Sequence, residues 1–441
     1  MATETIPPGT GSGKGGREEE NAMKTRAVRI HGRMDLRLEE FELPEMKEDE
    51  ILASVVSDSL CMSSYKAAKQ GAAHKRVPED VAERPTIVGH EFCGRILDVG
   101  SRWAGRFRAG ERFVLQPSHG CRGSLASPGY SYPYAGGDAT YILIPPEIME
   151  MNCLIPYRGD AFYTGSLAEP YSCVIGTMHA MYHTAYGSYV HSMGIREGGR
   201  MVLLAGNGPM GQAAADYLIH CDRRPSLLVV TSRRQERLDR LAELLSPEEA
   251  AGQGVELRYF NTAACGDPYT GLMRLSGGAG YDDVIVFAHA AELVELGDAL
   301  LCDDGCLNFF AGPDDRRFSA NFNFYNAHYG RTHIVGTSGG NADDMREACA
   351  MMEAGRLNPA MLVTYVGGLN AAAEATLHLP ELKSGKKLIY TGVDLPLTEI
   401  ADFERLGEED PFFAQLHALC AAHKGLWNRE AEEFLLREKG G

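Results

Sequence analysis

The first third of the chain alternates short hydrophobic runs with glycine and proline. Four of these runs, between residues 23 and 146, read KTRAVRIHG, EILASVVS, TIVGHEFCGRILDVG and GERFVLQP. Runs of this length with turn residues between them predict strands. Their spacing predicts a β-rich, barrel-like domain in this part of the chain.

From about residue 200 the pattern changes to strand-like runs separated by helical periodicity. The runs are RMVLLAG, SLLVVT, VELRYF, DDVIVFA and GCLNFFA. Strands that alternate with helices predict a parallel sheet covered by helices on both faces. Further on, ADDMREACAMMEAG and the acidic segments near the C-terminus are typical of amphipathic helices.

Charge and cysteine usage narrow the class of protein. The formal net charge of −17 disfavours nucleic acid and anionic membranes as partners. We find no apolar stretch near the ~20 residues of a membrane span and no signal-peptide pattern. Eleven cysteines without a CxxC pair are typical of a reducing compartment. We therefore expect a cytoplasmic protein that acts on a small molecule.

A glycine-rich motif follows the first run of the alternating region. Gly206-Asn207-Gly208-Pro209-Met210-Gly211 fits G-x-G-x-x-G, directly after an apolar strand and at the start of a helix. In this context the motif predicts a dinucleotide site, with the pyrophosphate at the helix N-terminus. The alternative is a glycine-rich turn in another kind of α/β protein.

The end of the second strand of this region bears on the choice of cofactor. An acidic residue there binds the ribose of NAD, but the chain reads Val-Val-Thr-Ser-Arg-Arg over residues 229–234. Ser232 and Arg233 are suited to a 2′-phosphate and predict NADP(H). The alternative is that the arginines only begin an exposed helix.

Three separated motifs carry possible metal ligands. Cys61 follows a strand-like run, Gly89-His90-Glu91 follows another, and Glu169-Pro170 precedes an apolar helix. A thiolate, an imidazole and a carboxylate are a usual donor set for catalytic zinc. Each motif alone also fits a buried thiol or an ordinary turn.

Together these motifs resemble the zinc-dependent medium-chain dehydrogenase/reductase superfamily, in that family's order. Within it the chain resembles the sorbitol dehydrogenase branch and the L-sorbose-1-phosphate reductase-like group. The resemblance runs from about residue 23 to the tail. Its segments are SDSLCMSSYKAA, RPTIVGHEFCGRILDVG, SLAEPYSCVIGTMHAMYHT, GNGPMGQAAADY, GRLNPAMLVTYVGGL and SGKKLIYTGVDLPLTEI.

The resemblance implies an α/β protein with a GroES-like β-rich catalytic domain and a Rossmann doubly wound parallel sheet. We expect a disordered extension over residues 1–22, the first part of the catalytic domain over 23–190 and the NADP-binding domain over 191–336. Residues 337–441 would return to the catalytic domain and end in an acidic helical tail.

The resemblance also implies roles for individual residues. Cys61 and His90 would bind zinc, and Glu169 would complete the site directly or through water. Glu91 would be an alternate or exchanging ligand with a catalytic role, and Ser63 would relay a proton. Zinc would polarise a carbonyl group while the nicotinamide ring donates hydride.

The chain departs from the family pattern at several positions. Met62 stands where the family usually has glycine, and Ser64 where it has aspartate; the segment GAAHKRVPEDVAE lengthens the interval before His90. The region of the family's four-cysteine structural zinc lobe contains only Cys121. We therefore predict one zinc ion per chain.

The implied function is transfer of hydride between NADP(H) and a ketose or polyol, with a sugar phosphate as the substrate. Alternatives are an NAD(P)-dependent polyol or secondary-alcohol dehydrogenase and a non-catalytic NADP-binding relative. Family relatives are dimers or tetramers, so a homo-oligomer is expected. The candidate cations for holding a phosphate, with solvated surface as the alternative interpretation, are Lys66, Lys69, His74, Lys75, Arg76, Arg316 and Arg317.

The segment from Ile175 to His191 is rich in histidine and tyrosine. One interpretation is that it lines the substrate cleft. The other is that it forms a helix that packs between the domains.

Overall fold

The computed structural model of the chain describes residues 23–313 and 315–440. The predicted disordered extension over residues 1–22 therefore lies outside the described residues. The strands of the described part are β1 (Lys24–Gly32), β2 (Asp35–Glu42), β3 (Ile51–Ser59), β4 (Thr86–Ile87), β5 (Phe92–Val99), β6 (Arg112–Leu115), β7 (Tyr141–Ile144), β8 (Leu154–Pro156), β9 (Tyr182–Thr184), β10 (His191–Met193), β11 (Arg200–Leu204), β12 (Leu227–Ser232), β13 (Glu256–Asn261), β14 (Tyr281–Val286), β15 (Leu301–Phe309), β16 (His333–Gly336), β17 (Val363–Gly368), β18 (Lys386–Tyr390) and β19 (Thr398–Glu399).

The α-helices lie mostly between the strands of the second half. They are α1 (Met62–Gln70), α2 (Pro146–Glu150), α3 (Phe162–Ser166), α4 (Ala168–Ala180), α5 (Pro209–His220), α6 (Gln235–Leu244), α7 (Pro247–Gly252), α8 (Pro268–Leu275), α9 (Ala291–Leu300), α10 (Ala342–Glu353), α11 (Leu369–Leu377), α12 (Phe403–Leu406), α13 (Pro411–Ala421) and α14 (Arg429–Lys439). No helix in the described ranges is long and apolar enough to cross a membrane.

The β-rich part is built on a sheet of eight strands. Its order is β19-β17-β18-β3-β5-β6-β8, and β7 also pairs with β3. Strands β1, β2 and β4 form a smaller sheet beside it. Strand β18 comes from the end of the chain and pairs antiparallel with β3, so the C-terminal part completes a sheet that the N-terminal part begins.

The alternating region forms a six-stranded parallel sheet in the order β13-β12-β11-β14-β15-β16. Strands β12 and β14 are buried along their whole length, because helices cover both faces of the sheet. The strand order reverses between β11 and β14. In doubly wound sheets ligands bind at the carboxyl ends of the strands at this point. The predicted fold class, a GroES-like domain plus a Rossmann sheet, is confirmed.

The acidic C-terminal segment packs onto the catalytic part of the chain. Trp427 and Leu435 are fully buried in a cluster that includes residues of β17 and β18. The carboxylate of Glu432 accepts the backbone N–H groups of Phe162 and Tyr163 at 2.7 and 2.8 Å. Because these groups belong to the first turn of α3, which has no intrahelical acceptor for them, the tail supports the segment that leads to Glu169.

Candidate active site

The possible metal ligands meet because β3 and β5 pair antiparallel. Asp58 lies opposite Phe92 in that pairing. The chain continues from β3 to Cys61, which begins helix α1, while His90 and Glu91 directly precede β5. The end of one strand and the start of the next are therefore adjacent, and two motifs far apart in sequence share one site.

One ligand atom from each of Cys61, His90 and Glu91 lies within 4.8 Å of the others. Among the described residues this is the group that could hold a metal ion. The Ser64 hydroxyl lies 3.3 Å from His90 Nδ1, which orients the ring and leaves Nε2 toward Ser63, 3.2 Å away. A thiol, an oriented imidazole and a carboxylate fit zinc as a donor set.

Burial sets the protonation of these ligands. It raises the pKa of the Cys61 thiol to about 12, with Glu91 adding to the effect, and it lowers the pKa of His90 to about 4. A bound cation reverses the first of these effects, because it stabilises the thiolate directly. The neutral imidazole is already in the form that binds a metal.

Glu91 is held by an ion pair that the sequence analysis did not identify. The Lys386 ammonium lies 2.5 and 2.6 Å from the two carboxylate oxygens, and both side chains are buried. Burial alone would raise the pKa of Glu91, but Lys386 holds it below its ordinary value. Strand β18 is buried throughout and begins with two lysines, Lys386 and Lys387. Two lysines at the start of an apolar strand are a signal that could have identified Lys386 as a buried partner of a carboxylate.

Glu169 lies in the first turn of α4, at the border of this group rather than within it. Burial and the charge of Glu91 raise its pKa to about 7. The Cys173 thiol donates to its Oε1 at 3.5 Å. Its charge also contributes to the raised pKa of the Cys61 thiol, so Glu169 interacts with the ligand group electrostatically.

A second hydroxyl group extends the site beyond Ser63. The Tyr130 hydroxyl donates to Ser63 Oγ at 2.9 Å and lies 3.3 Å from His90 Nε2. Ser63 in turn lies 3.0 Å from Cys61 Sγ. Tyr130 sits in a glycine- and proline-rich loop, SPGYSYPYAGG, and no local pattern distinguishes it from the tyrosines beside it.

Two buried aspartates, Asp58 and Asp138, pack against the Gly-His-Glu motif. Asp58 Oδ1 accepts the backbone N–H of Glu91 at 3.0 Å. Its other oxygen and both oxygens of Asp138 are buried without a hydrogen-bond partner. Burial raises the pKa of Asp138 to about 7 and that of Asp58 well above its ordinary value. A proton shared between the two carboxyl groups would remove one of the two buried charges. Gly89 has a positive φ, and a Cβ there would lie 2.2 Å from Asp58 Oδ2, so only glycine fits before His90.

The glycine-rich motif forms the turn between β11 and α5. A Cβ at Gly211 would lie 2.3 Å from the Gly206 carbonyl oxygen, whereas a Cβ at Gly208 would meet nothing within 4 Å. Gly211 therefore allows helix and strand to pack, and the space beside Gly208 admits a ligand. The left-handed φ of this turn belongs to Ala205, so Gly206 is required for packing against Leu203 rather than for its conformational freedom.

The other predicted cofactor residues line the same edge of the sheet. Pro209 and Met210 form the first turn of α5, and the Asn207 carbonyl accepts the side-chain amide of Gln212 at 3.0 Å. Ser232 ends β12, and its Oγ accepts the backbone N–H of Arg234. Arg233 is exposed. Ser232 and Arg233 thus lie at the carboxyl end of β12, the end of the strand at which doubly wound sheets bind their ligands.

The histidine- and tyrosine-rich segment contacts other helices and strands. His179 Nδ1 lies 2.7 Å from Asp344 Oδ1 on α10, and buried His183 lies 3.1 Å from Asp283. Tyr182 stacks on His191. These contacts favour packing over a substrate cleft, but the predicted helix is wrong beyond Ala180, where α4 ends and the chain forms strands β9 and β10.

Comparisons with known proteins agree with this geometry. A family model described as "Alcohol dehydrogenase GroES-like domain" matches residues 47–152. The chain is 50% identical over 412 residues to L-sorbose 1-phosphate reductase of Klebsiella pneumoniae, covering 93% of this chain and 97% of that protein. It is 48% identical over 413 residues to mannitol-1-phosphate 5-dehydrogenase of Aliivibrio fischeri, covering 94% and 97%.

Solved structures show the same fold at lower identity. 2R,3R-butanediol dehydrogenase from Bacillus subtilis superposes with a TM-score of 0.66 at 19% identity, covering 83% of this chain and 99% of that one. A zinc-binding dehydrogenase from Sinorhizobium meliloti gives a TM-score of 0.66 at 17% identity, covering 84% and 100%. With the near full-length relatives above, these matches show that the chain belongs to the zinc-type medium-chain alcohol dehydrogenase superfamily of oxidoreductases.

Proposed function

We propose that the chain is a zinc-dependent, NADP(H)-linked oxidoreductase that interconverts a ketose phosphate and the corresponding polyol phosphate. The observation that carries this proposal is the grouping of Cys61, His90 and Glu91 in a chain that is 50% identical to L-sorbose 1-phosphate reductase over 93% of its length.

In this proposal, residues of the chain would bind the metal and compensate the charge around it. Cys61 and His90 would hold the metal, and a carboxylate from Glu91 or Glu169 would complete the set. Bound zinc would supply Lewis acidity toward the carbonyl oxygen. Lys386 neutralises Glu91 when that carboxylate is not a ligand, so Glu91 can exchange without leaving a bare charge in the protein interior.

Reduction of the carbonyl group needs one hydride at carbon and one proton at oxygen. The turn at residues 206–211 would hold NADPH, which would supply the hydride when bound. Ser63 is placed to give the proton, because its hydroxyl contacts Cys61 Sγ and receives a hydrogen bond from Tyr130. Tyr130 would replace the proton that Ser63 gives up and would in turn take one from solvent, so that Ser63 and Tyr130 would form a two-hydroxyl relay.

The residues at the carboxyl end of β12 support NADP(H) rather than NAD(H) as the cofactor. Ser232 and Arg233 offer a hydroxyl donor and an exposed guanidinium in place of an acidic residue. A 2′-phosphate accepts hydrogen bonds from both groups, whereas an acidic residue would repel it. The predicted single zinc ion per chain is supported by the one possible ligand group among the described residues.

A second candidate is the oxidative direction on a polyol phosphate. It is favoured by the relative named mannitol-1-phosphate 5-dehydrogenase, which matches 94% of this chain. The same residues serve both directions, because the relay accepts a proton as readily as it donates one.

A homo-oligomer is supported by the surface beside β16. This strand lies at the edge of the parallel sheet and leaves Ile334 45% exposed, and the aromatic side chains of Phe324, Tyr325 and Tyr329, in the segment before it, are also exposed. Exposed apolar side chains of this kind are typical of protein interfaces, and an edge strand has unpaired backbone groups with which a second copy can pair. We expect a dimer or larger particle by light scattering; a monomer would contradict this.

The free thiols suit a reducing compartment, the cytoplasm.

The experiment that tests the proposal combines metal analysis with turnover. We expect about one zinc ion per chain and NADPH-dependent reduction of L-sorbose 1-phosphate, with NADH much less effective. Turnover of free ketoses alone would remove the phosphate from the proposal. A preparation that binds NADPH tightly but contains no metal and turns over no carbonyl compound would favour a non-catalytic relative.

A further inference from the structure

The cationic residues that are candidates for phosphate binding differ in the contacts that their side chains make within the protein. Lys66 Nζ donates to the carbonyl oxygen of Gly312 at 2.8 Å, Lys69 lies over the ring of Tyr65 and Arg317 pairs with Asp315. Arg76 is different because its contacts lead directly to the group around Cys61.

Arg76 is connected to the catalytic hydroxyls through one aromatic ring. Its Cζ lies 5.6 Å from the centroid of the Tyr130 ring, and the hydroxyl of that ring contacts Ser63 and His90. The guanidinium is therefore about one tyrosine ring away from the metal-ligand group. This is a distance that a small sugar phosphate can span.

The position of Arg76 is fixed, but its charge is not neutralised. Its Nη2 donates to Ser118 Oγ at 3.0 Å, and its carbonyl oxygen accepts the Ser131 hydroxyl at 2.7 Å. Among the described residues Arg76 forms no ion pair with a carboxylate, although other arginines of the chain commonly do. A part-buried guanidinium with free donors and no counter-ion is suited to an anionic ligand.

The electrostatics of the molecule make a local cation necessary. The chain carries a net charge of −17, and Glu91 and Glu169 add negative charge at the site itself. A substrate with a doubly charged phosphate needs a local cation to offset the repulsion.

We propose that Arg76 binds the phosphate group of the substrate, with Tyr130 as the spacer between the phosphate and the reacting carbonyl. This inference rests on the proposed function and assigns its phosphate specificity to one residue. The planar fork of the guanidinium allows two parallel hydrogen bonds to phosphate oxygens. The Ser118 hydroxyl holds the fork in place, which makes Ser118 a positioning residue.

The test separates phosphate binding from catalysis. Arg76→Met, Arg76→Lys and the neighbouring control Lys75→Met, which removes an exposed cation from the same segment, are compared on L-sorbose 1-phosphate and on free L-sorbose with NADPH. We expect Arg76→Met to raise KM for the phosphate ester roughly 10- to 100-fold, as for loss of a charge-assisted hydrogen bond. Free L-sorbose should change less than about 2-fold. Arg76→Lys should be intermediate, and Lys75→Met should resemble the wild type.

Other outcomes overturn the inference in distinct ways. An unchanged KM for the phosphate ester would show that Arg76 does not bind it. An equal loss of kcat on both substrates would show that Arg76 only supports Tyr130. Calorimetric titration of the metal- and NADPH-loaded protein with inorganic phosphate gives a readout that needs no turnover. If the wild type turns over no sugar phosphate, the proposed function fails, and this titration still decides the role of Arg76: binding in the wild type that is lost in Arg76→Met supports it, and equal or absent binding rejects it.

Discussion

The group around Cys61 and the turn at residues 206–211 represent two ways of building a site. The turn consists of six consecutive residues that follow β11 and run into the first turn of α5. The metal-ligand group draws on residues 61, 90 and 91, and on a lysine at residue 386 that joins through β18. A local site can be recognised from sequence by itself, whereas an assembled site is recognised only from the order of its parts.

The two sites also differ in how their charges are handled. Around Cys61 the charges are buried, and an ion pair between Glu91 and Lys386 compensates them inside the fold. At the end of β12 the charge of Arg233 is exposed to solvent. Substitutions in the first site should therefore affect folding as well as chemistry, and substitutions in the second should affect binding alone.

The largest expected effect is loss of the metal-ligand group. Cys61→Ser or His90→Ala should remove zinc and reduce kcat/KM by roughly 10³-fold or more, because several kcal/mol of carbonyl activation are lost. NADPH binding should persist, since it depends on the other sheet. Metal analysis, steady-state kinetics and NADPH fluorescence titration check this, with Cys121→Ser as the control. Full turnover by a metal-free variant would show that the proposed mechanism is wrong.

Breaking the buried ion pair should have the next largest effect. Lys386→Met leaves the Glu91 carboxylate buried without a counter-charge, which costs about 3–5 kcal/mol in the free energy of unfolding. Urea denaturation measures the change.

The adjacent Lys387→Met is the matched control, because Lys387 is also buried but donates only to the backbone carbonyl oxygens of Lys383 and Gly385. Adding Glu91→Gln to Lys386→Met should recover part of the loss. If Lys386→Met and Lys387→Met cost the same, the pair does not compensate Glu91.

Substitution of Arg233, directly after β12, should have a smaller effect that is confined to cofactor binding. Arg233→Ala should weaken NADPH roughly 10- to 100-fold, the cost of one charge-assisted contact, and should leave NADH nearly unchanged. The melting temperature should not move, since Arg233 is exposed. Arg234→Ala is the control on the next residue. Equal weakening of both cofactors would rule out the assignment of Arg233 to the 2′-phosphate.

The smallest expected effect lies at the helix interface between the two sites. Hydrogen bonding to Asp344 raises the pKa of His179 above its ordinary value, even though burial opposes this. The imidazolium therefore stabilises the folded state below pH ~6.5, and this contribution is lost as the pH rises through the raised pKa.

His179→Gln should accordingly cost on the order of 0.5–1 kcal/mol near pH 5.5, a modest value because the side chain is half-exposed, and almost nothing at pH 9. Denaturation at the two pH values tests this, with exposed His289→Gln as the control. A difference from the wild type that is the same at both pH values would contradict the assignment.

Much of the fold could be predicted because its signals are local. The apolar runs from β11 to β15 and the helices between them follow from periodicity, and the glycine-rich turn follows from its position between a strand and a helix. Within the catalytic site, Cys61, His90 and Glu91 were predicted from their motifs and from resemblance. The reason for Gly89 was not predicted, because it depends on the packing of Asp58 and Asp138 against that residue.

The sequence by itself determined the strand and helix pattern, the cofactor turn and the chemical types of the metal ligands, since each is encoded within a few neighbouring residues. Only the tertiary structure decided that Lys386 forms an ion pair with Glu91 and that the Tyr130 hydroxyl donates a hydrogen bond to Ser63. It also decided that Arg76, of the candidate cations, lies over the Tyr130 ring beside the site. These contacts join strands and loops that are far apart along the chain. Their partners are set by the antiparallel pairing of β3 with β5 and β18, which no short segment specifies alone.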